Sequence, residues 1–292
     1  MKPAHRLAEL GLALVCLLWG STFVLVKNAL DDISPVLFIG IRFSIATIVL
    51  GGVYAMRRKP GKVTWRGGLV AGLFLFIGYF LQTVGLRYTT PAKSGFITGL
   101  YIVLVPLLLA AVYRKAPGLS EWIGVVLATI GMGLLTLSTT KFEVGYGEAL
   151  TVGCALAFAV HILLLGHYSK TMPTEWLTLL QVGTCAVVGL ATFPVIEDPL
   201  VRWKPDVIIA LTVTSLLATA LAFYVQTWGQ KYTTPTRAAL IFSLEPVFAW
   251  LTSYVFENEV LTRQAFAGAA CILAGILVVE LKPLDRRDSA AI

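Results

Sequence analysis

The chain has 292 residues, 57% of them hydrophobic and 13% charged, with a mean hydropathy of +0.82. A soluble domain carries about 25% charged residues, so this composition excludes a soluble globular protein and sets the fold against lipid. The formal net charge of +7 does not mark a nucleic-acid binder, because the basic residues sit in short segments between apolar runs, the pattern that orients membrane helices.

The N-terminus is basic and then apolar, as in a signal peptide. The apolar run continues past Trp19 to about Leu30 with no Ala-x-Ala site, which predicts a retained first transmembrane helix. A spanning helix needs about 20 apolar residues. Ten windows qualify: 10–28, 35–56, 68–88, 91–113, 120–139, 146–168, 174–196, 207–231, 235–256 and 262–281. Asp31-Asp32-Ile33-Ser34-Pro35 ends the first helix and opens the second with proline in its first turn. Thr90-Pro91 and Thr234-Pro235 each read as an N-cap followed by proline at the first helical position. Glu197-Asp198-Pro199 and Lys204-Pro205-Asp206 bound the longest loop. Cys16, Cys154, Cys185 and Cys271 all fall in apolar runs, without a CxxC pair or a histidine at metal spacing. They read as packing residues and imply neither a disulfide nor a metal site.

The connecting segments alternate in charge. One side collects 15 basic residues: Lys2, Arg6, Arg57, Arg58, Lys59, Lys62, Arg66, Arg114, Lys115, Lys170, Lys231, Arg237, Lys282, Arg286 and Arg287. The other collects seven (Lys27, Arg87, Lys93, Lys141, Arg202, Lys204 and Arg263) and also carries Asp31, Asp32, Glu143, Glu197, Asp198, Glu257 and Glu259. The excess predicts that both termini are cytoplasmic.

The stretch Gln82-Thr83-Val84-Gly85-Leu86-Arg87-Tyr88-Thr89-Thr90-Pro91-Ala92-Lys93 returns as Gln226-Thr227-Trp228-Gly229-Gln230-Lys231-Tyr232-Thr233-Thr234-Pro235-Thr236-Arg237, at a spacing of 144. Gly124 and Gly131 match Gly268 and Gly275 at the same spacing, and read as close-packing positions. Earlier in each half the spacing is 139, aligning Glu9 with Glu148, Trp19-Gly20 with Phe158-Ala159, and Arg42 with Gln181. Repeats of this kind define architecture. Five helices per half, an odd number, turn the second copy upside down. The expected fold is an all-α membrane protein of ten transmembrane helices in two inverted repeats, 1–141 and 142–292, joined as one structural unit. Such repeats around a midplane site are the architecture of many secondary transporters.

No catalytic constellation stands out. His5, His161 and His167 have no nucleophile at a matching spacing, and no P-loop is present, so neither ATP-driven pumping nor a cofactor is expected. Ionisable groups inside membrane helices are functional candidates. Three qualify: Arg42, His161 and Glu245, with Gln181 as the repeat mate of Arg42. Arg42 and Glu245 are within reach of each other if their helices neighbour. The pair reads either as structural or as a site for a zwitterionic or anionic substrate or a coupling proton. Trp19, Ser21, Thr22, Tyr79, Gln82, Ser94, Thr98, Tyr101, Tyr224, Gln226, Trp228 and Trp250 are candidate cavity walls, Gln82 and Gln226 foremost because a lipid-facing amide is costly. Pro106 and Pro246 are hinge candidates, each leaving a carbonyl four residues back without its donor. Lying 15 and 11 residues after Pro91 and Pro235, they predict kinks about one turn apart in depth. Lys93 and Arg237 stand in first turns, where a cation opposes the helix dipole. Snorkelling, orientation or attraction of an anionic substrate group would each explain them.

Trp19-Gly20-Ser21-Thr22-Phe23 with Lys27, Pro35 with Arg42-Phe43, the two Tyr-Thr-Thr-Pro turns, Ser243-Leu244-Glu245-Pro246, and Asn258-Glu259-x-Leu261-Thr262 together resemble the drug/metabolite transporter superfamily. The match is to ten-helix members with two EamA-type domains. Arg114-Lys115-Ala116-Pro117 departs from the pattern where the first half lacks an acid equivalent to Glu259. The resemblance implies a multi-pass bacterial inner-membrane transporter, often an exporter of amino acids or other metabolites, with a central cavity between its halves. The expected partners are a small-molecule substrate and the lipid bilayer, with monomer and homodimer both open. A membrane-embedded enzyme and a non-transporting receptor or scaffold stand as alternatives.

Overall fold

The computed structural model describes residues 3–57, 63–114, 117–136, 145–257 and 262–281. The expected boundary at 141/142, Lys141, Glu143, the Asn258-Glu259-x-Leu261 segment, and Lys2, Arg58, Lys59, Lys62, Lys115, Lys282, Arg286 and Arg287 lie outside the described residues. Helix occupies all ten expected windows. The elements are α1 (Pro3–Gly20), α2 (Phe23–Ala29), α3 (Pro35–Arg57), α4 (Trp65–Leu86), α5 (Pro91–Gly99), α6 (Tyr101–Tyr113), α7 (Leu119–Thr136), α8 (Tyr146–Tyr168), α9 (Thr174–Ile196), α10 (Pro205–Ser215), a π-helical segment (Leu216–Leu221), α11 (Ala222–Gln230), α12 (Pro235–Phe242), α13 (Glu245–Glu257) and α14 (Arg263–Leu281). Among the described residues the only β feature is one antiparallel bridge, Ile33 with Val201.

Among the described residues, seven stretches are long and apolar enough to cross a membrane: Ala4–Ala29, Pro35–Met56, Trp65–Leu86, Lys93–Val112, Tyr146–Tyr168, Thr174–Ile196 and Pro205–Gln230. Leu119–Leu135 and Arg263–Val279 are shorter apolar helices. Apolar side chains also face outward: Ile48, Met56, Val187 and Val195 are 73%, 85%, 68% and 86% exposed. That is the reverse of a water-soluble surface. The protein is an all-α, multi-pass membrane protein.

Four of the ten stretches are interrupted. At Ser21 and Thr22 the two hydroxyls donate to the carbonyls of Leu18 and Trp19, at 3.1 and 2.9 Å, competing with the helical ladder. The α5–α6 and α12–α13 breaks are tight turns in which Leu100 N donates to Ile97 O and Ser243 N to Leu240 O, both at 3.1 Å. Leu100 and Ser243 have nearly the same backbone angles (φ −61°, ψ −11° and φ −65°, ψ −8°). The prolines themselves stay about one turn apart relative to these breaks: Pro106 is the sixth residue of α6 and Pro246 the second of α13. Helix α6 runs through Pro106, and Tyr101 and Glu245 each open the second half-helix, 144 residues apart. The tight turn sets the break in both halves, so the two copies are equivalent there.

The halves pack mainly on each other. α4 lies along α8 and α9, α3 along α9, α1 along α11 and α13, and α7 along α14. Exchanging the halves maps the α4–α8 contact onto α11–α1. At α7–α14 the repeated glycines meet in reciprocal pairs. A Cβ on Gly131 would stand 2.6 Å from Gly268 O, and one on Gly268 2.6 Å from Gly131 O. Gly124 and Gly275 stand in the same relation at 2.8 and 2.7 Å. Only glycine permits that approach. Gly131→Val is expected to destabilise the protein by about 2 kcal/mol or more, read as a lowered unfolding temperature in detergent. Gly52→Val is the control, since a Cβ on Gly52 would meet no atom within 4 Å.

One end is tied by a small polar network. The Glu197 carboxylate accepts from Val36 N and Leu37 N at the start of α3, at 3.2 and 2.8 Å, where the helix dipole favours an anion. Asp32 meets Lys204 at 2.8 Å and Arg202 at 3.5 Å. The Lys204 ammonium, with Arg202 beside it, holds the Asp32 carboxyl below its usual range.

Candidate functional site

The interruptions converge on a cavity of about 730 Å³ of empty space, lined from both halves by α1, α2, α3, α4, α5, α6, α8, α11, α12 and α13. The π-helical segment explains one wall. It leaves the Ala218 carbonyl to side-chain donors: Trp19 Nε1 at 2.9 Å and Arg42 Nη2 at 3.2 Å. Arg42 Nε also donates to Thr219 Oγ1 at 2.7 Å and Nη2 to Tyr79 Oη at 3.4 Å, while the guanidinium carbon stands 4.8 Å from the Tyr79 ring centroid. Among the described residues no ion pair joins Arg42 to Glu245; the guanidinium instead meets the π-helical segment and Tyr79. Its Nη1 makes no hydrogen bond among the described residues.

The opposite wall is built on α8, α11 and α13. His161 Nε2 lies 2.7 Å from Gln181 Oε1, Gln181 Nε2 donates to Thr227 Oγ1 at 2.9 Å, and the Thr227 hydroxyl donates to Phe223 O at 2.7 Å. Gln226 Nε2 donates to Gln230 Oε1 at 3.2 Å, and Gln230 Nε2 to Ile162 O at 3.0 Å. Glu245 lines the cavity with Tyr101 beside it. The Tyr101 hydroxyl donates at 3.4 Å to Phe242 O, the carbonyl that Pro246 leaves without its helical donor. Aromatic rings fill the space between: Trp19 packs on Phe223 and Phe242 at 5.6 and 5.5 Å, and Tyr79 on Phe158 at 5.4 Å.

Of the residues singled out from the sequence, Trp19, Thr22, Arg42, Tyr79, Gln82, Thr98, Tyr101, His161, Gln226 and Glu245 line this cavity. Gln82 Nε2 donates to Thr98 Oγ1 at 3.2 Å. The others lie elsewhere. Gln181 is buried behind His161. Ser94 is fully buried away from the cavity with its hydroxyl unbonded. Tyr224 packs near Tyr54 at 6.2 Å, Trp250 on Phe266 at 5.4 Å and Trp228 on Tyr232 at 5.4 Å. Sequence reading missed Phe158, Phe223 and Phe242. The repeat carried a signal for them, since they are the mates of Trp19, Tyr79 and Thr98.

The site is where the two copies differ most in chemistry. Tyr101 answers Glu245, Thr22 answers His161, and Arg42 answers Gln181. The cavity is also one-sided. Val26, Thr83 and Leu86 line it, whereas their mates Leu165, Thr227 and Gln230 do not and are fully buried. Outside it, Lys93 pairs with Glu148 at 3.6 Å and Arg237 with Glu9 at 3.8 Å. Both partners are repeat mates, so the two ties are equivalent, one at each end of the molecule. These carboxylates give Lys93 and Arg237 partners that neither snorkelling nor substrate attraction had supplied.

The EamA-like transporter family model matches the sequence twice, over residues 6–137 and 145–281. The chain belongs to the EamA-like transporter family, within the drug/metabolite transporter superfamily. An uncharacterized transporter of Archaeoglobus fulgidus is 38% identical over 277 residues, covering 94% of this chain and 86% of that protein. The uncharacterized transporter YvbV of Bacillus subtilis is 26% identical, covering 99% of this chain and 96% of its own. A solved crystal structure is similar in fold, with a TM-score of 0.78 at 21% identity, covering 98% of this chain and 99% of that one. The family is one of transporters, not enzymes. Its membership and the apolar helices agree in placing the chain in a membrane.

Proposed function

We propose that this chain is a secondary transporter that carries a small metabolite of amino-acid size across the bacterial inner membrane, with net export, by alternating access between two inverted repeats. In this reading the chain crosses the membrane ten times with both termini in the cytoplasm. Its halves, 1–141 and 142–292, work as one unit, and the Tyr88-Thr89-Thr90-Pro91 turn faces outward. The observation that carries the reading is the one-sided cavity. Broken helices of both halves meet there, and the space reaches past Gln82 toward one end while the equivalent positions toward the other end are packed shut. Exchange of conformation between the copies would reverse that asymmetry. Arg42 and Glu245, on separate elements and not joined, offer opposite charges to a zwitterion, and the aromatic rings offer an apolar wall. The test is counterflow in proteoliposomes preloaded with unlabelled amino acids, organic acids or sugars. Saturable uptake of a labelled compound that depends on its own internal pool is expected. Uptake equal to that of empty liposomes for every class would count against a carrier.

A further inference from the structure

The two hydrogen-bond chains behind the cavity have a fixed direction. A backbone carbonyl only accepts, and an amide oxygen only accepts. The first chain is anchored on Phe223 O. The Thr227 hydroxyl spends its one proton there, so Thr227 Oγ1 must accept from Gln181 Nε2. Gln181 then turns Oε1 toward His161, whose Nε2 must carry the proton. The nitrogen left to neutral His161 is Nδ1, a lone pair with no donor among the described residues. The second chain is anchored on Ile162 O. Gln230 Nε2 donates there, so Gln230 Oε1 accepts from Gln226 Nε2. Gln226 is 1% exposed and lines the cavity, and its Oε1 has no hydrogen-bond partner. A buried acceptor left without a donor is costly. Glu245 adds a carboxylate to the lining of the same cavity, with Tyr101 beside it and no cationic partner among the described residues. All three acceptors come from the second half.

The geometry points to an ammonium subsite: Glu245, Gln226 Oε1 and His161 Nδ1 receive the protonated amine of the substrate, which brings the donors this wall lacks. The inference rests on the carrier reading above and names the group by which that site recognises its cargo. An ammonium carries one positive charge and up to three N–H donors, matching one carboxylate and two neutral lone pairs. The surrounding rings, Trp19, Phe223 and Phe242, add faces that attract a cation. Gln181, Thr227 and Gln230 are positioning residues, which act by fixing which atom faces the cavity.

Three probes separate the charges: 2-phenylethylamine (ammonium only), 3-phenylpropionate (carboxylate only) and L-phenylalanine (both). Titration calorimetry on the full chain in detergent should find the two amines binding at least about tenfold more tightly than 3-phenylpropionate. Glu245→Gln and Gln226→Leu should each weaken 2-phenylethylamine by about tenfold or more and leave 3-phenylpropionate unchanged, while the gel-filtration profile stays that of the parent. Equal or tighter binding of 3-phenylpropionate overturns the subsite, as does amine affinity unmoved by both variants, or no amine binding at millimolar concentration. The two proposals fail separately. Binding of amines without counterflow of any compound keeps the subsite and removes the carrier. Counterflow confined to amine-free compounds does the reverse.

Discussion

Glu245→Gln is expected to lower transport about ten- to a hundredfold and to remove its response to a pH gradient. The substitution keeps the shape of the side chain and removes its charge, so it isolates one interaction. A hydrogen bond to a charged group contributes about 1.5–3 kcal/mol, which is about ten- to a hundredfold in affinity. Glu245 lies ten residues after Pro235 and lines the cavity. It opens the half-helix α13, where the exposed backbone N–H groups favour an anion. A carboxylate in this position can hold a proton or a cationic substrate but not both, and that exclusion is the elementary requirement for exchange. The measurement is counterflow with an imposed pH gradient of either sign, wild type beside the variant. A gradient response that persists unchanged in Glu245→Gln would eliminate this residue as the proton site and leave His161 as the next candidate in the cavity.

What the sequence made legible was local chemistry and periodicity. Thr90 and Thr234 were readable as caps because a hydroxyl ahead of proline has few other uses there. Both adopt φ −86°, ψ 154° and accept from the backbone N–H of Lys93 and Arg237. The paired glycines were readable because a repeat of small residues on an apolar helix leaves little but close packing. The π-helical segment Leu-Leu-Ala-Thr-Ala-Leu was not, since it contains neither glycine nor proline and the side chains that bond to its Ala218 carbonyl, Trp19 and Arg42, lie 199 and 176 residues away. The first-half break at Leu100 was not readable, since the nearest following proline, Pro106, lies inside α6. Ten of the sixteen candidates line the cavity, because polar and aromatic residues in the middle of apolar runs are rare enough to stand out. Their partners were not readable. Pairing Lys93 with Glu148, or Arg237 with Glu9, requires knowing that α5 lies on α8 and α12 on α1.

A cysteine at Gln82 is expected to react with a membrane-impermeant maleimide at least about tenfold faster than one at its mate Gln226. The background is a chain in which Cys16, Cys154, Cys185 and Cys271 have been replaced. The two positions are equivalent by the repeat, so differences of depth and of local sequence largely cancel, and what remains is conformation. Both line the cavity, but Gln82 is partly exposed whereas Gln226 is 1% exposed. The flanking ion pairs show the same imbalance. The Lys93 side chain is 24% exposed at the open end and that of Arg237 9% at the closed end. A tenfold ratio needs a difference of only about 1.4 kcal/mol in the work of exposing the thiol, small beside the cost of parting a packed helix interface. If the copies exchange conformations, labelling at Gln226→Cys from the face carrying Tyr232-Thr233-Thr234 rises during counterflow while labelling at Gln82→Cys falls. Equal rates at the two mates in resting protein would mean that the one-sided cavity is not the populated state. Rates that both hold steady during flux would rule out exchange of the halves as the transport motion.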